Sequence, residues 1–178
     1  MATPGTDTIT ILQRHGRGRA FANLDDILEA FRSAFPKWRV QVFHGNETVV
    51  QTMAAFSQSK VIVGYHGAGL VNALFSPPGA VVLEFTTMRD VNTTALWRSN
   101  AGLATIHPKL KWIQHAVDVD RLDNESGTAD VVDAVSKIKT HSERDRFIKA
   151  VKQIHISRGV LFNSIASLQY QLRTRKHA

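Results

Sequence analysis

The stretch Lys60-Val-Ile-Val-Gly-Tyr-His-Gly-Ala-Gly-Leu-Val-Asn-Ala-Leu-Phe-Ser-Pro-Pro-Gly-Ala-Val-Val-Leu-Glu-Phe85 decides the fold of this chain. Its apolar start, Lys60 to Val63, predicts a buried strand, and a second apolar run, Val81 to Phe85, predicts another. Between the two strands lie a glycine-rich turn and a short helix, which two prolines end. A strand, a glycine turn and a helix in this order form a corner at which parallel α/β proteins bind phosphate groups.

The glycine turn carries the residues that favour an anion. Gly67 and Gly69 flank Ala68, so no large side chain keeps an anion away from the backbone N–H groups. The helix predicted to open at Ala68 adds unpaired N–H groups and the positive end of its dipole. His66 ends the preceding strand, where an imidazole can donate to a phosphate oxygen or exchange a proton near neutral pH. The sequence therefore predicts a phosphate site at this turn.

Glu84 closes the following strand. Because parallel strands end at the same edge of a sheet, Glu84 is predicted to emerge beside His66, where a carboxylate can accept hydrogen bonds from ribose hydroxyls. Each of these residues also has a purely structural explanation as a turn, strand-end or solvated residue. The dinucleotide motif G-x-G-x-x-G is not met, since Asn72 stands at its third glycine position, and no G-K-[ST] of a P-loop occurs.

Apolar runs alternate with helical patterns along the chain, which predicts an α/β fold with a Rossmann-like parallel sheet flanked by helices. Two further strands are predicted at Thr8–Leu12 and Arg39–Phe43, joined through a helix that Asn23 can cap. A second helix is predicted to open at Asn46-Glu47. Later elements are predicted as helices near 92–101 and 129–138 and as short strands at 105–106 and 116–119.

The C-terminal part is predicted to be a separate basic, helical tail, with residues 1–140 as the nucleotide-binding domain and 141–178 as the tail. A helix is predicted from Ser142, and Gly159 is expected to bend it. The net charge of the chain is +7, and the segment from Lys137 onward contains ten Lys and Arg residues but only two acidic residues. Such a tail can bind nucleic acid, an anionic membrane or an acidic partner. Two apolar stripes are predicted in the tail. The first comprises Phe147, Val151 and Ile154, and the second comprises Leu161, Ile165, Leu168 and Leu172.

Two segments together resemble a known family. The string His66-Gly-Ala-Gly-Leu-Val-Asn72, followed by Ala73-Leu-Phe-Ser-Pro-Pro-Gly-Ala-Val-Val-Leu-Glu84, resembles the signature of glycosyltransferase family 61. The segment Ile9-Thr-Ile-Leu-Gln-Arg14, followed by Arg19 and Asn23, is similar to the family's strand that ends in Arg, its second Arg and the Asn that opens a helix. The resemblance extends from the first predicted strand to the fourth.

The resemblance implies a nucleotide-sugar-dependent transferase of the two-Rossmann (GT-B) type, which inverts the anomeric carbon and needs no metal or other cofactor. Two arginines can stabilise the leaving diphosphate in place of a metal ion. His66 is the catalytic candidate by this resemblance, assigned to the donor phosphate, and Glu84 is expected to hold the ribose. The donor site implied in this way comprises Arg14, Arg19, His66, Gly67, Ala68, Gly69, Asn72 and Glu84.

At 178 residues the chain can form one well-buried domain, whereas two Rossmann units need roughly 150 residues each. The resemblance therefore implies a C-terminal donor half that binds a UDP sugar. A missing N-terminal acceptor domain is expected to bring the general base, and the acceptor is expected to be a hydroxyl of a glycan or protein. The Golgi or ER lumen is expected by resemblance, although no signal or transmembrane segment is present in the sequence. Three glycosylation sequons, at Asn46, Asn92 and Asn124, weakly favour the same location.

Other functions remain open from the sequence. The chain could be a non-catalytic nucleotide-binding module, or a fragment whose basic tail binds a partner. Nucleic acid is not favoured as that partner, because Tyr170 is the only aromatic residue after Phe162 and no reading motif occurs. A metal site is not expected either: Asp118-Val119-Asp120 matches a metal-diphosphate motif only at three residues, and cysteine is absent.

Overall fold

The computed structural model of the chain describes residues 7–14, 20–87, 110–117, 153–154 and 156–173. Short strands and helices alternate in these ranges. In chain order they are β1 (Thr8–Leu12), β2 (Ala20–Phe21), α1 (Leu24–Ala34), β3 (Arg39–Phe43), α2 (Val49–Ser57), β4 (Ser59–Tyr65), a 3₁₀ helix (Ala68–Phe75), β5 (Val81–Thr87), β6 (Lys111–Val117), β7 (Gln153–Ile154) and α3 (Arg158–Arg173).

Five strands form one sheet in the order β3-β1-β4-β5-β6, and every neighbouring pair is parallel. The predicted parallel α/β fold is therefore confirmed. The chain leaves β1 toward β3 on one side and then returns past β1 to reach β4 on the other side. The strand order thus reverses between β1 and β4, and open α/β sheets bind ligands in the crevice beyond the carboxyl ends of the strands at such a point.

Both faces of the sheet are covered by helices. Residues such as Ile9 and Val63 pack with α1 and α3 in one core cluster. Their neighbours in the strands, such as Ile62 and Val82, pack with Phe56 of α2 and with the 3₁₀ helix in a second cluster. Strands buried on both faces read as continuous apolar runs rather than as an alternating pattern. This is why β4 and β5 could be recognised in the sequence.

Two element boundaries differ from the prediction. Helix α2 begins at Val49, because Thr48 and Gln51 form a reciprocal capping box there. Glu47 instead accepts hydrogen bonds from the preceding backbone, so Asn46-Glu47 do not open the helix. The strand predicted at 116–119 begins at Lys111, where its backbone N–H donates to the carbonyl of Ala80 beside β5.

The C-terminal segment also differs from the prediction. Ile154 lies in β7, where it pairs with Phe21 of β2, so it does not extend a helical stripe from Val151. Gly159 lies in the first turn of α3 and does not join two helices. The second predicted stripe is confirmed in α3: Leu161, Ile165 and Leu168 are buried in the same cluster as α1, and Leu172 packs against it.

Asn23 occupies the N-cap position of α1, as predicted, but its side chain makes no capping hydrogen bond. The side-chain amide pairs instead with the backbone of Ile156. Several other predictions fall outside the described residues, namely the elements near 92–101, 105–106 and 129–138, the helix start at Ser142, and Asp118-Val119-Asp120. Among the helices that the structure describes, none has the length and apolar character needed to span a bilayer.

Candidate functional site

The predicted site residues that the structure describes gather at the point where the strand order reverses. Arg14 follows β1 by two residues, and His66 directly follows β4, which pairs with β1. Gly67 connects His66 to the 3₁₀ helix, whose first residue is Ala68. Because β1 and β4 are parallel neighbours, these residues share one crevice at the carboxyl edge of the sheet. Arg19 lies outside the described residues.

The guanidinium of Arg14 lies against the glycine turn. A methyl group added at Gly69 would stand 3.8 Å from both Nε and Nη2 of Arg14 and 3.2 Å from Cδ2 of Leu12. A side chain at position 69 would therefore be tight against Leu12 and in contact with Arg14. The structure therefore brings a permanent positive charge next to the backbone N–H groups of the turn.

The turn leads into a 3₁₀ helix, in which the N–H of Leu70 donates to the carbonyl of Gly67 over 3.1 Å. In this geometry the N–H groups of Ala68 and Gly69 have no acceptor within the helix. The helix lies close to the sheet, since a methyl group at Gly64 of β4 would come within 2.9 Å of Cδ2 of Leu70. Its first N–H groups and Arg14 thus occupy the same corner.

A cleft of about 380 Å³ opens beside this corner, between α2 and the 3₁₀ helix. A smaller cavity, bordered by Leu12, Arg14, Tyr65, Gly67 and Gly69, adjoins it at the turn. One wall of the cleft is apolar and exposed: 73% of Val49 and 42% of Phe75 are accessible. The cleft is lined by Leu12, Arg14, Phe43, Gly45, Glu47, Val49, Thr52, Ala68, Gly69, Asn72 and Phe75.

His66 and Glu84 are also brought together, as predicted, but beneath the surface of the crevice. Nδ1 of His66 lies 2.5 Å from Oε1 of Glu84, and the two residues are 5% and 1% exposed. The other carboxylate oxygen, Oε2, accepts from Nε1 of Trp112 at 2.7 Å and from Nε2 of Gln114 at 3.3 Å. The carboxylate of Glu84 is therefore bound by His66 at the end of β4 and by Trp112 and Gln114 of β6.

This burial bears on the two roles implied for the pair. His66 and Glu84 do not line the cleft, whereas Arg14, Gly69 and Asn72 do. A ribose contact by Glu84 remains a prediction, and it would require a sugar hydroxyl to reach a carboxylate whose two oxygens already accept hydrogen bonds.

Glu47 lines the cleft, although the sequence pattern suggested only that it opens a helix. Burial of its carboxyl acts to raise its pKa, but hydrogen bonds from the backbone N–H groups of residues 44 to 47 outweigh this effect, and the pKa is lowered. Those bonds include His44 N–H to Oε1 at 2.9 Å and Gly45 N–H to Oε2 at 2.7 Å. Glu47 is thus an anion that shapes one side of the cleft, opposite in sign to Arg14.

Trp112 and Gln114 were missed as well, because nothing in the sequence links β6 to Glu84. They become its neighbours through the pairing of β5 with β6, in which Glu84 lies beside Gln114. His115 points to the other face, where its ring lies 6.4 Å from that of Phe85 and burial lowers its pKa. Within the described ranges, no three His, Asp or Glu side chains are grouped as metal ligands would be.

Comparisons with known proteins point to one family. Residues 3–83 match the family model described as Glycosyltransferase 61. The chain is also 35% identical over 92 residues to an EGF domain-specific O-linked N-acetylglucosamine transferase from Xenopus laevis. That alignment includes 50% of this chain and 17% of the relative, so the chain spans about a sixth of the length of this relative.

Two solved structures align with the chain at low sequence identity. An adenylate cyclase from Rhodopirellula baltica aligns with a TM-score of 0.36 and 14% identity, over 97% of this chain and 99% of that one. An NADPH-quinone reductase from P. pentosaceus aligns with a TM-score of 0.39 and 12% identity, over 76% of this chain and 99% of that one.

Proposed function

We propose that the chain, whose residues 3–83 match the family model described as Glycosyltransferase 61, forms the donor-binding part of a glycosyltransferase of that family. The donor is a UDP sugar, and the sugar passes with inversion to a hydroxyl of a glycan or protein. The observation that supports this most directly is the contact of Arg14 with the glycine turn at the crevice where the strand order reverses.

The diphosphate of the donor is proposed to bind between Arg14 and the N–H groups of Ala68 and Gly69. Charge builds up on the diphosphate as the sugar leaves, and fixed donors aimed at it stabilise that charge. A guanidinium binds two phosphate oxygens at once, so this proposal needs no metal ion. Arg19 is proposed to add a second positive charge to the site, and Asn72, which lines the cleft, is proposed as a polar contact.

The cleft beside the turn is proposed to accept the rest of the nucleotide. Its exposed apolar wall, formed by Val49 and Phe75, suits the flat face of a base, while Thr52 and Asn72 supply polar groups. Glu47 lines the same cleft and carries a negative charge, which keeps the phosphates toward the Arg14 end. The volume of about 380 Å³ falls within the range of small-molecule sites.

The acceptor and the general base are proposed to be supplied by a further domain. An inverting transfer requires a base within hydrogen-bond reach of the acceptor hydroxyl. His66, the catalytic candidate, is buried against Glu84 and is proposed to act on the donor phosphate. The similar transferase from Xenopus laevis is several times longer than this chain. From the family resemblance we propose a location in the Golgi or ER lumen.

Calorimetric titration of the purified chain with UDP, UDP sugars, GDP, ADP and NAD tests this proposal. We expect UDP and UDP sugars to bind and the other nucleotides to bind more weakly. His66→Ala is expected to weaken UDP binding, with circular dichroism as the check that the variant is folded. A folded wild-type chain that binds none of these ligands would show that the glycine turn has only a structural role.

A further inference from the structure

The sequon at Asn46 lies in the short loop that joins β3 to α2. Its three residues, Asn46, Glu47 and Thr48, follow the end of β3 and precede the first residue of α2. A sequon accepts an N-linked glycan in a secreted protein when its asparagine lies in a surface loop. Among the three sequons of the chain, this is the one that falls within the described residues.

The fold makes no use of the Asn46 side chain. The residue is exposed, and none of the described residues forms a hydrogen bond with its side-chain amide. Asparagine in a turn commonly binds the backbone close by, but here Glu47 does so instead. The two carboxylate oxygens of Glu47 accept from the N–H groups of His44 at 2.9 Å and of Gly45 at 2.7 Å. A glycan on the Asn46 amide therefore displaces no contact that holds the loop.

Asn46 borders the proposed donor cleft without lining it. Gly45 and Glu47, on either side of Asn46 in the chain, both line the cleft, and Asn46 does not. Since Asn46 is nevertheless exposed, its side chain extends into solvent and not into the cleft. A glycan attached there stands at the rim and leaves the space for a nucleotide open.

We propose that Asn46 carries an N-linked glycan, directed away from the cleft, when the chain is made in the secretory lumen. This inference rests on the proposed function, to which the lumenal location belongs. The glycan is a modification that the protein receives, and it is separate from the sugar transfer that the protein is proposed to catalyse.

The modification is a transfer from an oligosaccharide that a diphosphate links to a membrane lipid. Nδ2 of Asn46 forms a bond with the anomeric carbon of the first sugar, while the bond between that carbon and the diphosphate oxygen breaks. The lipid diphosphate leaves with the electron pair of the broken bond, and Nδ2 gives up one hydrogen as a proton to the oligosaccharyltransferase of the host. The hydroxyl of Thr48 completes the sequon that this enzyme accepts.

Mass spectrometry of the full chain, secreted from human cells behind a cleaved signal peptide, tests the inference. Trypsin places the three sequons in three different peptides, and the peptide that ends at Lys60 contains Asn46 as its only sequon residue. Enzymatic removal of the glycan in H₂¹⁸O marks a modified asparagine with ¹⁸O. We expect this label at Asn46 in most of the secreted molecules.

Four variants identify the acceptor and the direction of the glycan. Asn46→Gln and Thr48→Ala should each lose the glycan from this peptide. Thr48→Ser should keep it, because serine retains both the hydroxyl of the sequon and the cap of α2. Asn163→Gln is the matched control and should be labelled as the wild type is, since Asn163 is exposed but Ile165 stands where a sequon needs a hydroxyl. Calorimetry should give the glycosylated wild type and Asn46→Gln equal affinities for UDP, because the glycan lies outside the cleft.

The outcomes separate this inference from the proposed function. An unlabelled Asn46 in a secreted chain that binds UDP would overturn the inference and leave the proposed function standing. UDP binding that is absent in the glycosylated wild type and present in Asn46→Gln would overturn the direction given to the glycan. A labelled chain that binds no UDP, either as the wild type or as Asn46→Gln, would support the glycan and overturn the proposed function.

Translation into microsomes is the second measurement, and it applies if the chain is not secreted. Glycans are attached there while the chain crosses the membrane, so the result does not depend on the final fold. Protection from added protease identifies the molecules inside the microsomes, and each glycan lowers their mobility in a gel by one step. We expect the protected wild type to run one step more slowly than protected Asn46→Gln. Equal mobility of the two would overturn the inference.

Discussion

Asn23 binds the backbone of Ile156 with both ends of its side-chain amide. Nδ2 donates to the Ile156 carbonyl over 2.9 Å, and Oδ1 accepts from the Ile156 N–H over 3.0 Å. Close by, Gln13 binds both backbone groups of Phe21 in the same way. Gln13 thus joins the end of β1 to β2, and Asn23 joins the start of α1 to Ile156.

Asn23→Ala is expected to reduce the free energy of unfolding by about 2 kcal/mol, because two backbone groups of Ile156 lose their partners. Urea denaturation followed by circular dichroism measures this change. Asn163→Ala, at an exposed position of α3, is the matched control and should leave stability unchanged or slightly raised. An unchanged urea midpoint in Asn23→Ala would mean that β2 and β7 hold this region without the amide.

The same glycine-to-alanine change should have opposite effects at two positions. At Gly64 the new methyl group would come within 2.9 Å of Cδ2 of buried Leu70, and such overpacking costs about 1–3 kcal/mol. At Gly159, in the first turn of α3, nothing lies within 4 Å, so alanine should add about 0.5–1 kcal/mol. Thermal unfolding of both variants measures the difference.

A double variant identifies the cause of the loss at Gly64. Leu70→Val removes the carbon atom that the new methyl group meets, so Gly64→Ala should cost less in that background than in the wild type. Equal costs in the two backgrounds would show that the strain at Gly64 arises from another contact, such as Cβ of Leu12 at 3.4 Å.

Arg14→Gln is expected to weaken UDP binding about 10- to 100-fold, because hydrogen bonds to a charged group contribute about 1.5–3 kcal/mol. The fold should persist, since Arg14 is only half-buried and follows β1. Arg32→Gln on α1 removes the same charge away from the crevice and should bind UDP as the wild type does. Calorimetry measures the UDP affinity of both variants, and equal affinities would remove Arg14 from the proposed site.

Glu47 should make the stability of the domain depend on pH in the acidic range. Its pKa is below the usual 4.5, so the carboxylate stabilises the folded state above that value, and this stabilisation is lost as the pH falls through the lowered pKa. Urea midpoints measured from pH 6 down to pH 3 should therefore fall less steeply in Glu47→Gln than in the wild type. Glu29→Gln controls for the loss of one charge. Parallel curves for wild type and Glu47→Gln would contradict this assignment.

The sheet and part of the site could be predicted from the sequence, because both depend on neighbours along the chain. Strands such as Thr8–Leu12 and Arg39–Phe43 are continuous apolar or alternating runs, and the glycine turn directly follows another such strand, β4. The proximity of His66 to Glu84 followed from the parallel order of β4 and β5.

Contacts between distant segments could not be predicted. Asn23 is a good capping residue by type. Only the folded structure shows that its side-chain amide binds the backbone of Ile156, 133 residues away. Trp112 reaches Glu84 because β6 lies next to β5, and its sequence spacing from Glu84 carries no signal. Ile154 fits a helical stripe by its spacing, but pairing with Phe21 places it in a two-residue strand.

The packing of α3 on the sheet has a consequence for how the protein is made. Ile9 and Val63, which are synthesised early, share one core cluster with Ile156 and Leu168, which are synthesised late. Until α3 leaves the ribosome, an apolar face of the sheet lacks part of its cover, and exposed surfaces of this kind are where chaperones act and aggregation begins. The nascent chain can therefore complete this core only after α3 has been synthesised, although the residues of its proposed binding site have emerged long before.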